Sequence, residues 1–411
     1  MQKPELLAPA GSLEKLKIAV MYGADAVYVG GVKFGLRAGA KNFTLDELAE
    51  GISFAHKNEK KVYLTLNIIP HNEDLTELPE YVEKLKELSL DGMIISDPGI
   101  LNIVKKIIPE MEIHLSTQAS ITSYAAVNFW YQQGIRRIIL ARELSLAEIR
   151  EIVEKVSDDM KIETFVHGAM CISYSGRCLL SNYMAGRDAN RGNCAHPCRW
   201  RYHLVEEKRP GEYFPVFEDE RGSYFFNSKD LCLIEHIPSL IEAGISAMKI
   251  EGRMKSAYYV ACIVNAYRQA IDTYFSNPQK YQFDEKWLKE IGKTSNRTFT
   301  TGFYFSKPKG EEQRYQSSVY IKTYDFIGII HRYDKNNGIA MMEQKNRVFK
   351  GDEIEVFGPD GDFFTQKVEA MWNEDGEEIE VAPHAGQIIK IKMRQPVKPW
   401  YIIRKSIQDS L

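Results

Sequence analysis

Four of the six cysteines, Cys171, Cys178, Cys194 and Cys198, crowd into the stretch ETFVHGAMCISYSGRCLLSNYMAGRDANRGNCAHPCRWRY, and Cys232 follows it. Thiolates are soft donors that hold zinc or iron–sulfur clusters, and Gly176, Gly186, Gly192 and Pro197 let a loop turn back so that several sulfurs converge. Cys194 and Cys198 have a short, zinc-like spacing, whereas Cys171 and Cys178 stand too far apart for a usual zinc knuckle. An iron–sulfur cluster is therefore the expectation, with zinc the alternative. Cys262 sits in the apolar run AYYVACIVNAYRQAI and reads as an inert core thiol. The segment MQKPELLAPAGSLEKL lacks the apolar core of a secretion signal, and no run approaches membrane-spanning length. A cytoplasmic protein with reduced thiols and no membrane partner is expected.

Basic and aromatic residues mark a second chemistry. Arg187, Arg191, Arg199, Trp200, Arg201 and Tyr202 lie inside the cysteine region, where they suit the holding of an RNA backbone while a single base is presented. They equally suit the screening of an anionic cluster and its thiolates. A similar mixture recurs in QIIKIKMRQPVKPWYIIRK, where Lys398 and Trp400 are candidates for phosphate contact and base stacking, and a lysine-protected edge strand is the competing reading. The GGVKFGLRAG stretch matches neither a Walker A motif nor a dinucleotide fingerprint. Its Arg37 either reaches an anionic substrate or is solvated.

The elements that must position these groups follow from patterning. With 411 residues, 44% of them hydrophobic, and a formal charge of -3, the chain has enough apolar content for a large core and too little positive charge for a nucleic-acid coat protein. Short β-branched runs (ELLAP, DAVYVGG, KVYLTLN, GMIISD, EIHLST, RRIILAR, IETFVHG, AMKIEG) alternate with helical patterns, which predicts a TIM-barrel-like parallel (β/α)8 domain over residues 1–277 carrying the cysteine loop. A doubly wound sheet is the alternative. Residues 278–317 read as a linker or irregular subdomain, and 318–411 as a small antiparallel β-barrel with turns at KNNG, GPDG and NEDGEE. The strands themselves read as almost wholly apolar. Polar residues just after them, Asn67, Asp97, Ser116, Gln118, Arg142, Glu143, His167, Glu251 and Arg253, are expected to gather at one mouth. His167 is the acid–base candidate there, a backbone-satisfied histidine being the competing reading. Arg142, Arg253 and Lys255 are candidates for binding carboxylates, with pairing of Arg253 to Glu251 or Asp230 as the structural alternative.

The run Glu163 to Ser181, with Phe165, Gly168, Ala169, Cys171, Gly176, Cys178 and Ser181 in register, resembles the signature of the peptidase U32 family. LLAPAGSLEKLKIAVMYGADAVYVGG and NSKDLCLIEHIPSLIEAGISAMKIEGRMKS resemble stretches typical of the same family, so the likeness spans the chain. Its length and C-terminal β-domain are most similar to the tRNA hydroxylation branch of that family. The resemblance implies oxygen-independent formation of 5-hydroxyuridine at the tRNA wobble position, with prephenate as the associated hydroxyl donor. It also implies a 4Fe-4S cluster on Cys171, Cys178, Cys194 and Cys232, with Cys198 as the alternative fourth ligand, and a paralogous or homo-oligomeric partner. Two other readings stay open: a U32-type (collagenase-like) peptidase, although the chain has neither HExxH nor GxSxG, and a noncatalytic RNA-binding protein with a structural cluster.

Overall fold

In the computed structural model, residues 2–36, 41–171, 173–174, 177–200, 203–204, 214–215, 229–294, 298–306, 322–359 and 361–407 are described. The apolar runs form parallel strands β1 Glu5–Ala10, β2 Ala26–Gly30, β3 Lys61–Leu66, β4 Gly92–Ile95, β5 Ile113–Leu115, β6 Arg137–Ile139 and β7 Lys161–Ala169. A short strand β8, Asp230–Cys232, precedes the last barrel strand, β9 Ala247–Ile250. Each of the eight parallel strands pairs with its neighbour in chain order, and β9 pairs with both β7 and β1, which closes the barrel and rules out the open doubly wound sheet.

Helices α1 Leu13–Met21, α2 Leu45–Lys57, α3 Asn72–Lys86, α4 Pro98–Ile107, α5 Tyr124–Gln132 and α6 Leu146–Lys155 follow the first six strands. Their starts are written locally. Thr44 with Glu47 and Ser145 with Glu148 form reciprocal capping boxes, and Asp97 accepts the backbone N–H groups of Gly99 and Ile100. Asp97, expected at the mouth, is thus a helix cap. Among its described residues the cysteine region holds the short α7 Leu180–Ala185 and two 3-10 turns, and α8 Ile237–Glu242 leads to β9. The long helix α9 Ala257–Ser276 then packs on α1 and β1 with Cys262 buried inside it, as an inert core thiol requires.

The barrel strands are less apolar than their sequence reads. Glu5, Arg137, Glu163 and Lys249, from β1, β6, β7 and β9, form a connected ion network in the barrel. The Glu163 carboxylate accepts Arg137 Nε at 2.7 Å on one oxygen and Lys249 Nζ at 2.8 Å on the other. Arg137 continues to Glu5 at 2.6 Å, and Tyr63 Oη donates to Glu5 at 2.9 Å. Each of the four strands contributes one of these charges, so single-strand patterning hides the network.

Beyond α9 the chain forms α10 Glu285–Gly292 and the strand β10 Phe299–Thr300. β10 pairs in parallel with β8, which itself runs antiparallel to β7, so part of the region read as irregular extends the barrel sheet. The C-terminal unit is a curled, antiparallel seven-stranded sheet in the order Phe363–Lys367, Glu353–Phe357, Ile402–Ser406, Tyr324–Asp334, Ile339–Gln344, Ile388–Lys392, Met371–Trp372. It has its own core around Ile327, Ile330, Val356, Ile389 and Ile403. It docks on the barrel's outer helices through Tyr22 Oη, which donates to the carbonyls of Phe357 and Trp400, and through the buried Arg404.

Candidate functional site

At the C-terminal ends of the barrel strands a pocket opens to the surface. Tyr28, Leu36, Ile94, Ile139 and Phe165 supply apolar walls, and Thr65, Asn67, Ser116, Thr117, Gln118, Lys249, Glu251 and Arg253 supply the polar groups. Of the residues expected at the mouth, Asn67, Ser116, Gln118, Glu251 and Arg253 line it. Asn67 Nδ2 donates to Gln118 Oε1 at 3.2 Å and to Ser116 Oγ at 3.4 Å, and Ser116 Oγ donates to the same Gln118 oxygen. Asn67 Oδ1 accepts the Leu36 N–H at 3.2 Å, which ties the loop after β2 to the end of β3. These links hold the amides in fixed orientations, so they present defined donors and acceptors to a ligand.

Arg253 is buried, and its Nη1 donates to Thr65 Oγ1 at 2.8 Å. Its guanidinium lies against the backbone of Gly30, where a Cβ would overlap Nη1. Arg142 is also buried but sits behind the wall: Nη1 donates to the Ala169 carbonyl at 2.7 Å and the guanidinium lies 5.2 Å from the Phe165 ring centre. Lys255 is half-buried, 5.2 Å from the ring centre of Tyr259.

His167 is not among the cavity-lining residues. The β7–β9 register shifts between Lys249 and Ile250, Gly168 turns with a φ of +110°, and the His167 ring is packed among Tyr259, Tyr267 and Phe299. Its Nδ1 lies 3.4 Å from Tyr267 Oη. Burial, and then the charge of Lys255, push the imidazole down to about 3, so it is neutral at physiological pH. The structure thus places the acid–base candidate in the barrel wall.

The cysteines fit a soft metal by their chemistry: none of the six is in a disulfide, and the four loop thiols are half-buried. Their placement is looser than a finished site, because no three His, Cys, Asp or Glu side chains converge as metal donors among the described residues. Cys232 pairs with His167 across the β7–β8 ladder, and burial pushes its thiol up to about 12. Cys198 lies in the 3-10 turn Pro197–Arg199. Cys194 Sγ accepts the His196 N–H at 3.3 Å and lies 3.8 Å from His196 Nδ1.

The basic and aromatic candidates divide. Arg191 bonds Asp74 at 2.7 Å and Glu73 at 2.9 Å, which ties the cysteine region to the start of α3. Arg187 donates to Asn193 Oδ1 at 2.9 Å, and Trp200 is exposed. Tyr174, Leu179 and Tyr183 add exposed apolar surface to the same region. The Arg199 side chain, Arg201, Tyr202 and Arg37 lie outside what is described. Trp400 is half-buried and packs edge-on against Phe54 of α2, 6.1 Å between ring centres, so it serves the contact between the two units. Lys398 is exposed.

Sequence reading missed Lys249 and Thr65 as cavity residues and Glu163 as the partner of Lys249. A signal existed: Lys249 and Glu163 interrupt otherwise apolar strands, and a charge on a barrel strand has only the lumen or a helix interface to face.

The model of peptidase family U32 matches residues 11–314, and that of the U32 C-terminal domain matches 322–404. The chain is 46% identical to "tRNA hydroxylation protein P1" of Bacillus subtilis over 98% of its own length and 95% of the relative's. It is 38% identical to "tRNA hydroxylation protein P" of Escherichia coli over 98% of its own length and 96% of that protein's. It is also 32% identical to a "Collagenase" of Porphyromonas gingivalis, covering 96% of both chains. A closed parallel barrel with its cysteine region after the seventh strand, a separate antiparallel C-terminal sheet, and matches to both family models across these units place the chain in peptidase family U32.

Proposed function

We propose that this protein is an RNA-modifying enzyme that hydroxylates the tRNA wobble uridine to 5-hydroxyuridine without molecular oxygen, using a small-molecule hydroxyl donor such as prephenate. The observation that carries this reading is the near full-length similarity to tRNA hydroxylation proteins of two organisms. The cavity adds a physical reason. Its apolar walls suit a ring, its fixed amides and hydroxyls suit polar substituents, and Arg253 suits a carboxylate. Arg187 and Trp200 would hold the RNA, with Arg199, Arg201 and Tyr202 as further candidates from the sequence, and Lys398 would add a phosphate contact from the C-terminal unit.

In the reaction, the C5–H bond of uridine is replaced by C5–OH, two electrons leave the ring, and the donor R–OH returns as R–H. Cys171, Cys178 and Cys194, with Cys232 or Cys198 as fourth ligand, would hold a 4Fe-4S cluster, which supplies one-electron transfer when bound. Arg253 would orient the donor, while Asn67, Ser116 and Gln118 hold its hydroxyl-bearing face toward the base. Arg142, behind Phe165, would support that wall.

Two measurements test the reading. Protein purified without oxygen is expected to contain about four irons and four acid-labile sulfides per chain. Cys198→Ala and Cys232→Ala are expected to differ, with only the variant lacking the fourth ligand losing the cluster; stoichiometric zinc instead would end the redox mechanism. Digested bulk tRNA from a deletion strain is expected to lack 5-hydroxyuridine derivatives, and their persistence would refute the substrate class.

The Cys194–His196 contact favours a second reading, a thiol peptidase, because a thiol beside an imidazole is the pair such an enzyme needs. Gelatin cleavage by the pure protein that is lost in Cys194→Ala and kept in Cys232→Ala would establish it.

A further inference from the structure

Lys249 is a buried ammonium with an incomplete set of partners. It leaves β9 toward the lumen, is 4% exposed, and lines the cavity. Among the described residues its Nζ makes one hydrogen bond, to Glu163 Oε1 at 2.8 Å. An ammonium carries three N–H donors. Two ring faces lie near, Nζ being 4.4 Å from the Tyr28 ring centre and 5.6 Å from that of Phe165, and the Glu251 carboxylate of the cavity wall adds an attraction from beyond hydrogen-bond distance. Such contacts attract a cation but accept no conventional hydrogen bond.

The Glu163 carboxylate is shared. Its other oxygen is held by Arg137, which is itself bonded to Glu5. One carboxylate therefore serves two cations at the cavity floor, and Lys249 receives only part of its charge. Above it on the same strand–loop segment stands Arg253, the second buried cation of the cavity. An anion entering between them would complete the ammonium's hydrogen bonds in a poorly solvated site, where such bonds are strongest.

We infer that Lys249 is the floor anchor for a carboxylate of the small-molecule ligand, with Arg253 engaging the same ligand nearer the mouth. Tyr28 and Phe165 flank the ligand's ring, and Glu163 with Arg137 acts only to position the Lys249 ammonium. The ligand class is a compact cyclic acid, its ring between Tyr28 and Phe165 and its carboxylate within reach of Lys249. The assignment rests on the donor reading proposed above and adds the residue that would recognise it.

Isothermal titration of wild-type protein, Lys249→Met and Lys249→Arg with prephenate, in the absence of RNA, tests it. Lys249→Met is expected to weaken binding by roughly 10- to 100-fold, the range for loss of a charged hydrogen bond, and Lys249→Arg to recover part of it. RNA affinity measured on the same samples is expected to stay unchanged. Prephenate binding to wild type that Lys249→Met leaves intact would overturn this assignment alone. Absence of prephenate binding to wild type would overturn the donor reading and the assignment with it. Should the Met variant fold poorly, a crystal structure of wild type soaked with prephenate decides: a carboxylate within hydrogen-bond distance of Lys249 Nζ supports the inference, and one elsewhere refutes it.

Discussion

Glu163 shows how one residue ties the stability of this barrel to pH. Burial pushes its carboxyl up, but Lys249 and Arg137 outweigh that and hold it at about 2. Glu112 is likewise held at about 2, chiefly by its hydrogen bond with His114. Both values lie below the ordinary carboxylate range, so the folded state binds fewer protons than the unfolded chain at mildly acidic pH. The stabilisation is fully present above about pH 4.5 and is lost as pH falls toward 2. Urea midpoints measured across pH 2 to 7 are expected to fall steeply in that window, and Glu163→Gln is expected to flatten the fall. Gly30 gives a second residue-scale expectation. A methyl there overlaps the Arg253 guanidinium, so Gly30→Ala is expected to weaken prephenate binding roughly tenfold while the far-ultraviolet circular dichroism stays native.

Between elements, Arg191 and Asn190 tie the cysteine region to the mouth. Arg191 bonds Asp74 and Glu73 at the start of α3, and Ile69 N–H donates to the Asn190 carbonyl at 3.1 Å. Arg191 is about one-third exposed, so the ion pair contributes less than about 1 kcal/mol to global stability. Its local effect is larger. Arg191→Ala is expected to speed amide exchange across residues 187–194 several-fold with little change in Tm, and unchanged exchange would show that other contacts hold the region. The β7 end is more rigid. Gly168 has a φ of +110°, and a Cβ there would lie 2.7 Å from the Glu251 carbonyl oxygen. Gly168→Ala is therefore expected to destabilise the protein by about 1–3 kcal/mol, read as a shifted denaturation midpoint.

For the whole molecule, the two units are joined by a buried charge. Arg404 of the C-terminal sheet is fully buried; its Nε donates to Glu355 of its own unit at 2.7 Å, and its Nη2 forms an ion pair with Glu290 of α10 at 2.7 Å. Its guanidinium lies 4.7 Å from the Phe357 ring centre, and Tyr258 of α9 stacks on Phe326 at 5.7 Å. Arg404→Ala removes the buried member of this network together with its ring contacts, so it is expected to cost about 3 kcal/mol. Calorimetry is expected to show one transition for wild type and two for the variant, since the sheet retains its own core once uncoupled. A single lowered transition would mean that the units depend on each other through the apolar contact instead.

Local patterning determined the alternation of strands and helices, because each apolar run and each cap is written within a few residues. Thr44 with Glu47 and Ser145 with Glu148 are of this kind, and eight such alternations leave few architectures open. The cysteine-rich stretch and the family resemblance were equally present in the chain. The meeting of Glu5, Arg137, Glu163 and Lys249 was decided only in three dimensions, since barrel closure brings together strands far apart in sequence. The same holds for His167, which patterning placed at the mouth and a register shift with a neighbouring antiparallel strand placed in the wall. Trp400 and Arg404 read as a basic-aromatic surface until docking of the sheet buried them to different degrees. Patterning reports whether a side chain alternates in or out along its own strand; which opposite charge or ring it then meets is set by the packing of elements the local sequence does not contain.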